Sequence, residues 1–140
     1  MTAVEIAERK SQWRAFGFLF LAALTVVVMT LVANSWGGDF VQGLWFGLAA
    51  GSAFNLLPVK RWLRPNSEVV RLLEDEGVRE NRRLSCTLGF WGAIIASLGL
   101  DLVYRLSGSI DVGDFGQLIA TAGIVSAMVT FGLVELRGAR

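Results

Sequence analysis

Residues 15–38 read AFGFLFLAALTVVVMTLVANSWGG, 24 positions without an Asp, Glu, Lys or Arg. About 20 apolar residues in a helix, at 1.5 Å rise each, cross a hydrocarbon core of about 30 Å. The run is therefore long enough to span a bilayer. It exceeds the apolar core of a cleaved leader, about 7–15 residues, and Glu5 and Glu8 stand ahead of it. We read it as a retained span.

Three more charge-free runs follow at 40–59, 84–100 and 115–134, of 20, 17 and 20 residues. Leu102, Val103 and Tyr104 extend the shortest of them past Asp101. A membrane barrel would alternate apolar and polar residues at every second position, and these uniform runs do not. The fold expected is an all-α integral membrane protein in one domain, 1–140. Its four transmembrane helices lie near 15–35, 40–58, 85–106 and 114–135, with a charged segment at 60–83.

The composition agrees. Hydrophobic residues make up 54% of the 140 and charged ones 18%, with a mean hydropathy of +0.54; soluble domains keep roughly a quarter of their residues charged. There is no histidine and one cysteine, Cys86. That excludes imidazole metal ligands, a Ser-His-Asp or Cys-His dyad and an intramolecular disulfide. A net charge of +1 leaves no footprint for nucleic acid. No paired acids or activated nucleophile lie at membrane depth, so neither an enzyme nor a bound cofactor is expected.

Arginine and lysine set the orientation. With four spans, the N-terminus, the 60–83 segment and the C-terminus share one side, which holds twelve of the thirteen basic residues; the other side keeps Arg105. The positive-inside rule then places both termini in the cytoplasm. Arginine outnumbers lysine eleven to two, a usage that correlates with GC-rich bacterial genomes, and the expected location is a bacterial inner membrane.

The outer connections, 35–39 and 107–113, are short, so the helices pair as two antiparallel hairpins. The hairpins resemble each other: Gly38-Asp39-Phe40-Val41-Gln42 opens helix 2 and Gly113-Asp114-Phe115-Gly116-Gln117 opens helix 4, while Phe16-Gly17-Phe18 has an echo in Leu88-Gly89-Phe90. Asp-x-x-Gln before an apolar run is a capping box, in which the acid caps the first turn and the Gln reaches back. Asp39, Gln42, Asp114 and Gln117 are read as caps. Between the hairpins, 60–83 carries seven basic and five acidic residues, and Pro65-Asn66-Ser67-Glu68 has the form of a helix start. We expect a charged cytoplasmic helix there, lying on the membrane surface or extending helix 3.

Small residues mark the packing faces. Gly43, Gly47 and Gly51 stand four apart on helix 2, with Asn55 one step further; Gly89, Ala93 and Ser97 form a stripe on helix 3 that runs on to Asp101. No hydrophobic force drives helices together in lipid, so close backbone approach must do so. These rows are candidate seams of a bundle or docking faces for other subunits. Trp45 is read with Trp13, Trp36, Trp62, Trp91 and Tyr104 as an interfacial girdle. Asp101 lies four residues before Arg105, which favours an i,i+4 pair and leaves an ion or proton site as the alternative. The expected function is that of a non-enzymatic membrane protein acting by helix packing. It would be an accessory or assembly subunit of a larger complex, or a small regulator, whose partners are the lipid bilayer and other membrane subunits or its own copies. An oligomeric small-ion or small-solute channel is the alternative.

Overall fold

The structure is a computed structural model and describes residues 3–34, 38–56, 76–107 and 114–138. They form four helices: α1 (Ala3–Ala33), α2 (Gly38–Leu56), α3 (Glu76–Ser107) and α4 (Phe115–Gly138). The protein is all-helical over these residues. The expected helix at 60–83 falls mostly outside them, except that its last part belongs to α3.

Among the described residues, three stretches are long and apolar enough to cross a membrane: Gln12–Ala33, Gly77–Ser107 and Phe115–Arg137, with mean hydropathies of 2.5, 1.7 and 1.8. That is one fewer than the four charge-free runs suggest. In α2, Asp39, Gln42, Asn55 and four glycines dilute its 19 residues, and freedom from charge is a weaker property than hydropathy. The end of its apolar run, 57–59, lies outside the described residues.

Two helices begin earlier than their apolar runs. α1 starts at Ala3 rather than near residue 15, and α3 at Glu76 rather than near 85. The segment AVEIAERKSQWR that leads into α1 has no Gly or Pro and is rich in Ala, Glu, Arg and Lys, all good helix formers. Charge marks where a helix leaves hydrocarbon, which need not be where its hydrogen bonding stops.

α4 is the centre of the packing. It lies against α3 most extensively, then α1, and touches α2; α1 also packs on α2, less than on α4. The α3–α4 seam is built on glycine. A Cβ on Gly89 would meet Ala127 Cβ and the Gly123 carbonyl at 2.8 Å, and one on Gly123 would come within 3.1 Å of Ala93 Cβ. A Cβ on Gly92 would fall 2.5 Å from Ser126 Oγ. Gly132 does the same service on the other flank, where a Cβ would stand 2.9 Å from Leu19 Cγ and 3.2 Å from the Ala15 carbonyl. Contact partners descend along α4 as they ascend along α3: Asn81 with Glu135, Ala93 with Gly123, Tyr104 with Phe115.

Two apolar clusters fill the interior. Phe18, Ala22, Leu56, Met128 and Phe131 form one, with the Phe18 and Phe131 rings 4.7 Å apart. Val28, Met29, Trp45 and Ala49 form the other. The outside is no less apolar, since Phe20, Phe40, Ile95, Leu98 and Leu106 are each well over half exposed. Water would penalise so much contiguous apolar surface, whereas acyl chains would not. The molecule is built as a membrane protein on this evidence of length, hydropathy and exterior.

Candidate functional site

One polar junction lies among three helices. Glu135 on α4 is only 6% exposed and forms an ion pair with Arg14 on α1. Asn81 on α3 donates to its other carboxylate oxygen at 3.4 Å. The Arg14 guanidinium also stands 5.4 Å from the centre of the Phe131 ring, within cation–π range. Ser85, fully buried one turn further along α3, donates to the Asn81 carbonyl at 2.6 Å and so fixes the turn that presents the Asn81 side chain. The Arg14 Nε is buried without a hydrogen-bond partner among the described residues.

The sequence places these groups only weakly. Arg14 immediately precedes the first charge-free run and Glu135 immediately follows the last, so each marks the edge of its span. That shared position at one membrane face was the available signal, and nothing in the local sequence pairs them. A buried carboxylate needs its charge neutralised and its lone pairs satisfied, and the fold does this with donors from two other helices.

A second polar contact ties α2 to α4. Trp45 is 4% exposed and its Nε1 donates to Thr121 Oγ1 at 2.9 Å. This corrects its reading as an interfacial anchor: the indole N–H is satisfied by a hydroxyl inside the bundle rather than by headgroups. Ser52, almost fully buried on the same helix, has an Oγ without a hydrogen-bond partner among the described residues.

The residues singled out in the sequence separate into groups. Gly89 and Ala93 enter the α3–α4 seam against Gly123 and Ala127, while Ser97 is half-buried on α3 beyond them. Gly43, Gly47 and Gly51 do not pack against other described residues: a Cβ on any of them would have no neighbour within 4 Å among them. Asn55 is likewise exposed, its Nδ2 donating to the Gly51 carbonyl of its own helix at 2.9 Å. α2 instead turns Trp45, Ala49, Ser52 and Leu56 inward, so the interhelical seam expected of its glycines lies on another face.

Asp101 and Arg105 form an ion pair at 2.8 Å near the end of α3, with side chains 54% and 73% exposed. They face outward rather than into a cavity. Asp39 and Gln42 are exposed in the first turns of α2, whose opening residue Gly38 has φ +53°, a conformation natural to glycine. Asp114 immediately precedes α4. Gln117 does not complete a capping box, because its Oε1 is buried with no hydrogen-bond partner among the described residues.

The chain matches no protein-family model, no curated protein and no solved structure.

Proposed function

We propose that the protein is a non-enzymatic membrane subunit that acts by binding other membrane helices, as an accessory or assembly component or a small regulator. The observation that carries this reading is the face of α2 bearing Gly43, Gly47, Gly51 and Asn55. It is exposed along its length, and no described residue approaches its glycines. Phe40, Phe46 and Phe54, all strongly exposed, stand on the same helix. Glycine in a helix costs roughly 0.5–1 kcal/mol against alanine, and that cost is offset where another backbone comes close.

In this reading α2 is the fourth span, completed by residues beyond Leu56. α1 with α2 and α3 with α4 form antiparallel hairpins. Both termini face the cytoplasm of a bacterial inner membrane, and the charged stretch between α2 and α3 lies on that side. The descending order of partners between α3 and α4 supports the second hairpin, and the contact of α1 with α2 is compatible with the first.

Gentle extraction from native membranes followed by mass spectrometry tests the function. The expected result is a stoichiometric co-purifying membrane protein, lost when Gly47 is replaced by Leu. A stable, unaccompanied monomer opposes the proposal, and a homo-oligomer that conducts ions in liposomes favours the channel instead.

A further inference from the structure

An apolar groove of about 500 Å³ opens between α2, α3 and α4. Gly123 and Ile119 of α4 lie along its floor, Ala53 and Leu56 of α2 form one side, and Cys86 and Ala93 of α3 form the other. Such a volume lined by methyl and methylene groups does not hold water well, and in a bilayer hydrocarbon fills it. Its size and apolarity alone do not select an occupant. Charge at one end does.

Asn81 is level with Glu135 and Arg14, where the basic residues of α1, α3 and α4 gather. Cys86 lies five residues deeper along α3, about 7 Å by the helical rise. In the other direction α3 continues out through Arg83 and Arg79, both exposed. Arg79 and Cys86 are seven residues apart, two turns along one face, so the α3 wall of the groove leads up to Arg79 with Arg83 beside it. The half-buried Arg82 stands between them, and Glu80 is the acidic residue in this turn-and-a-half. On α3 between Arg79 and Arg83, three cations and one anion stand above the apolar slot. On α4 the lining runs from Ala127 down to Gly116, about 16 Å, close to the depth of one leaflet, which is half of the roughly 30 Å core.

We infer that this groove binds one anionic phospholipid, with an acyl chain lying between α2 and α3 and its phosphate held by Arg79 and Arg83. Guanidinium groups match phosphate geometry, and juxtamembrane arginines draw anionic headgroups. The inference stands whether or not the chain also has a protein partner.

Native mass spectrometry of the full chain from nanodiscs containing equal phosphatidylglycerol and phosphatidylcholine tests it. One phosphatidylglycerol should remain on the monomer, with roughly a thirtyfold preference over phosphatidylcholine for two arginines at an anionic headgroup. The R79A/R83A variant changes exposed side chains, should keep its helicity by circular dichroism and should lose that preference. Ala53→Trp fills the slot and should lower retention of both lipids. Equal retention of the two lipids by the unmodified chain, or a preference unchanged in R79A/R83A, overturns the proposal. So does a dimer that Ala53→Trp dissociates, since the groove then belongs to a second copy. Should Ala53→Trp fail to fold, the arginine variant decides alone.

Discussion

Arg14 and Glu135 are 121 residues apart in the chain and bonded to each other in the fold. Through Glu135 the first helix is joined to the last, and Asn81 brings in α3. Glu135 is buried but the Arg14 side chain is 36% exposed, so removing Arg14 leaves a poorly compensated carboxylate at a cost below that of a fully buried pair, about 3–5 kcal/mol. Arg14→Ala should therefore lower the thermal midpoint in detergent and speed amide exchange in the last turns of α4. Replacing Arg14 and Glu135 together by Met should restore most of the loss, because apolar groups of similar volume need no partner. A double variant as unstable as the single one would show that the ion pair is not what holds this end together.

The glycines divide into two groups with opposite expected behaviour. Gly89→Ala puts a methyl 2.8 Å from a backbone oxygen and from Ala127 Cβ, so the α3–α4 seam must open; a loss of about 1–3 kcal/mol is expected from overpacking. Gly43→Ala and Gly51→Ala meet nothing and should stabilise the isolated chain by about 0.5–1 kcal/mol each. If a partner helix docks on α2, these stabilising changes should also weaken its recovery. Chemical unfolding of the purified chain and pull-down from native membranes give the two readings.

Trp45→Phe keeps the ring in its cluster and removes the donor to Thr121 Oγ1. Interhelical side-chain hydrogen bonds in membranes average about 0.6 kcal/mol, so the expected loss is small. The spectroscopic effect is larger: emission from the buried indole disappears, and the remaining fluorescence shifts to the red. An unshifted spectrum would place Trp45 at the surface.

Asp101→Asn should be quiet. The pair with Arg105 is exposed on both sides, and exposed pairs contribute about 0–1 kcal/mol. Stability within that range, with proton and cation flux in liposomes equal to the unmodified chain, is the expected outcome. A change in flux would return Asp101 to the role of an ion site.

Reporter fusions decide the spans. With α2 crossing the membrane, fusions at residues 1 and 140 fall on the same side. Opposite sides would mean that only α1, α3 and α4 cross.

Charge-free runs located each of the four described helices, since exclusion of charge from hydrocarbon is a strong local rule. They do not mark where α1 and α3 begin, because polar residues such as those of 3–14 remain helical outside the apolar run; the extension of the third helix into the charged segment was one of the two expected arrangements. The α3–α4 seam was legible in Gly89 and Ala93, whose small size has no local purpose. Gly43 and Gly47 looked the same in sequence, yet they face outward; which small face is used depends on the rotation of α2, set by Trp45 and Thr121 from distant parts of the chain. Glu135 was missed for the same reason, as its partners lie on two other helices.

α3 is one uninterrupted helix of 32 residues, about 48 Å long, longer than the roughly 30 Å hydrocarbon depth of a bilayer. Its glycine-tight contact with α4 leaves little room for either to slide. Torque applied to the protruding turns around Arg79 is thus transmitted as by a rigid shaft to Tyr104 and Phe115 at the opposite face, with no joint between to absorb it.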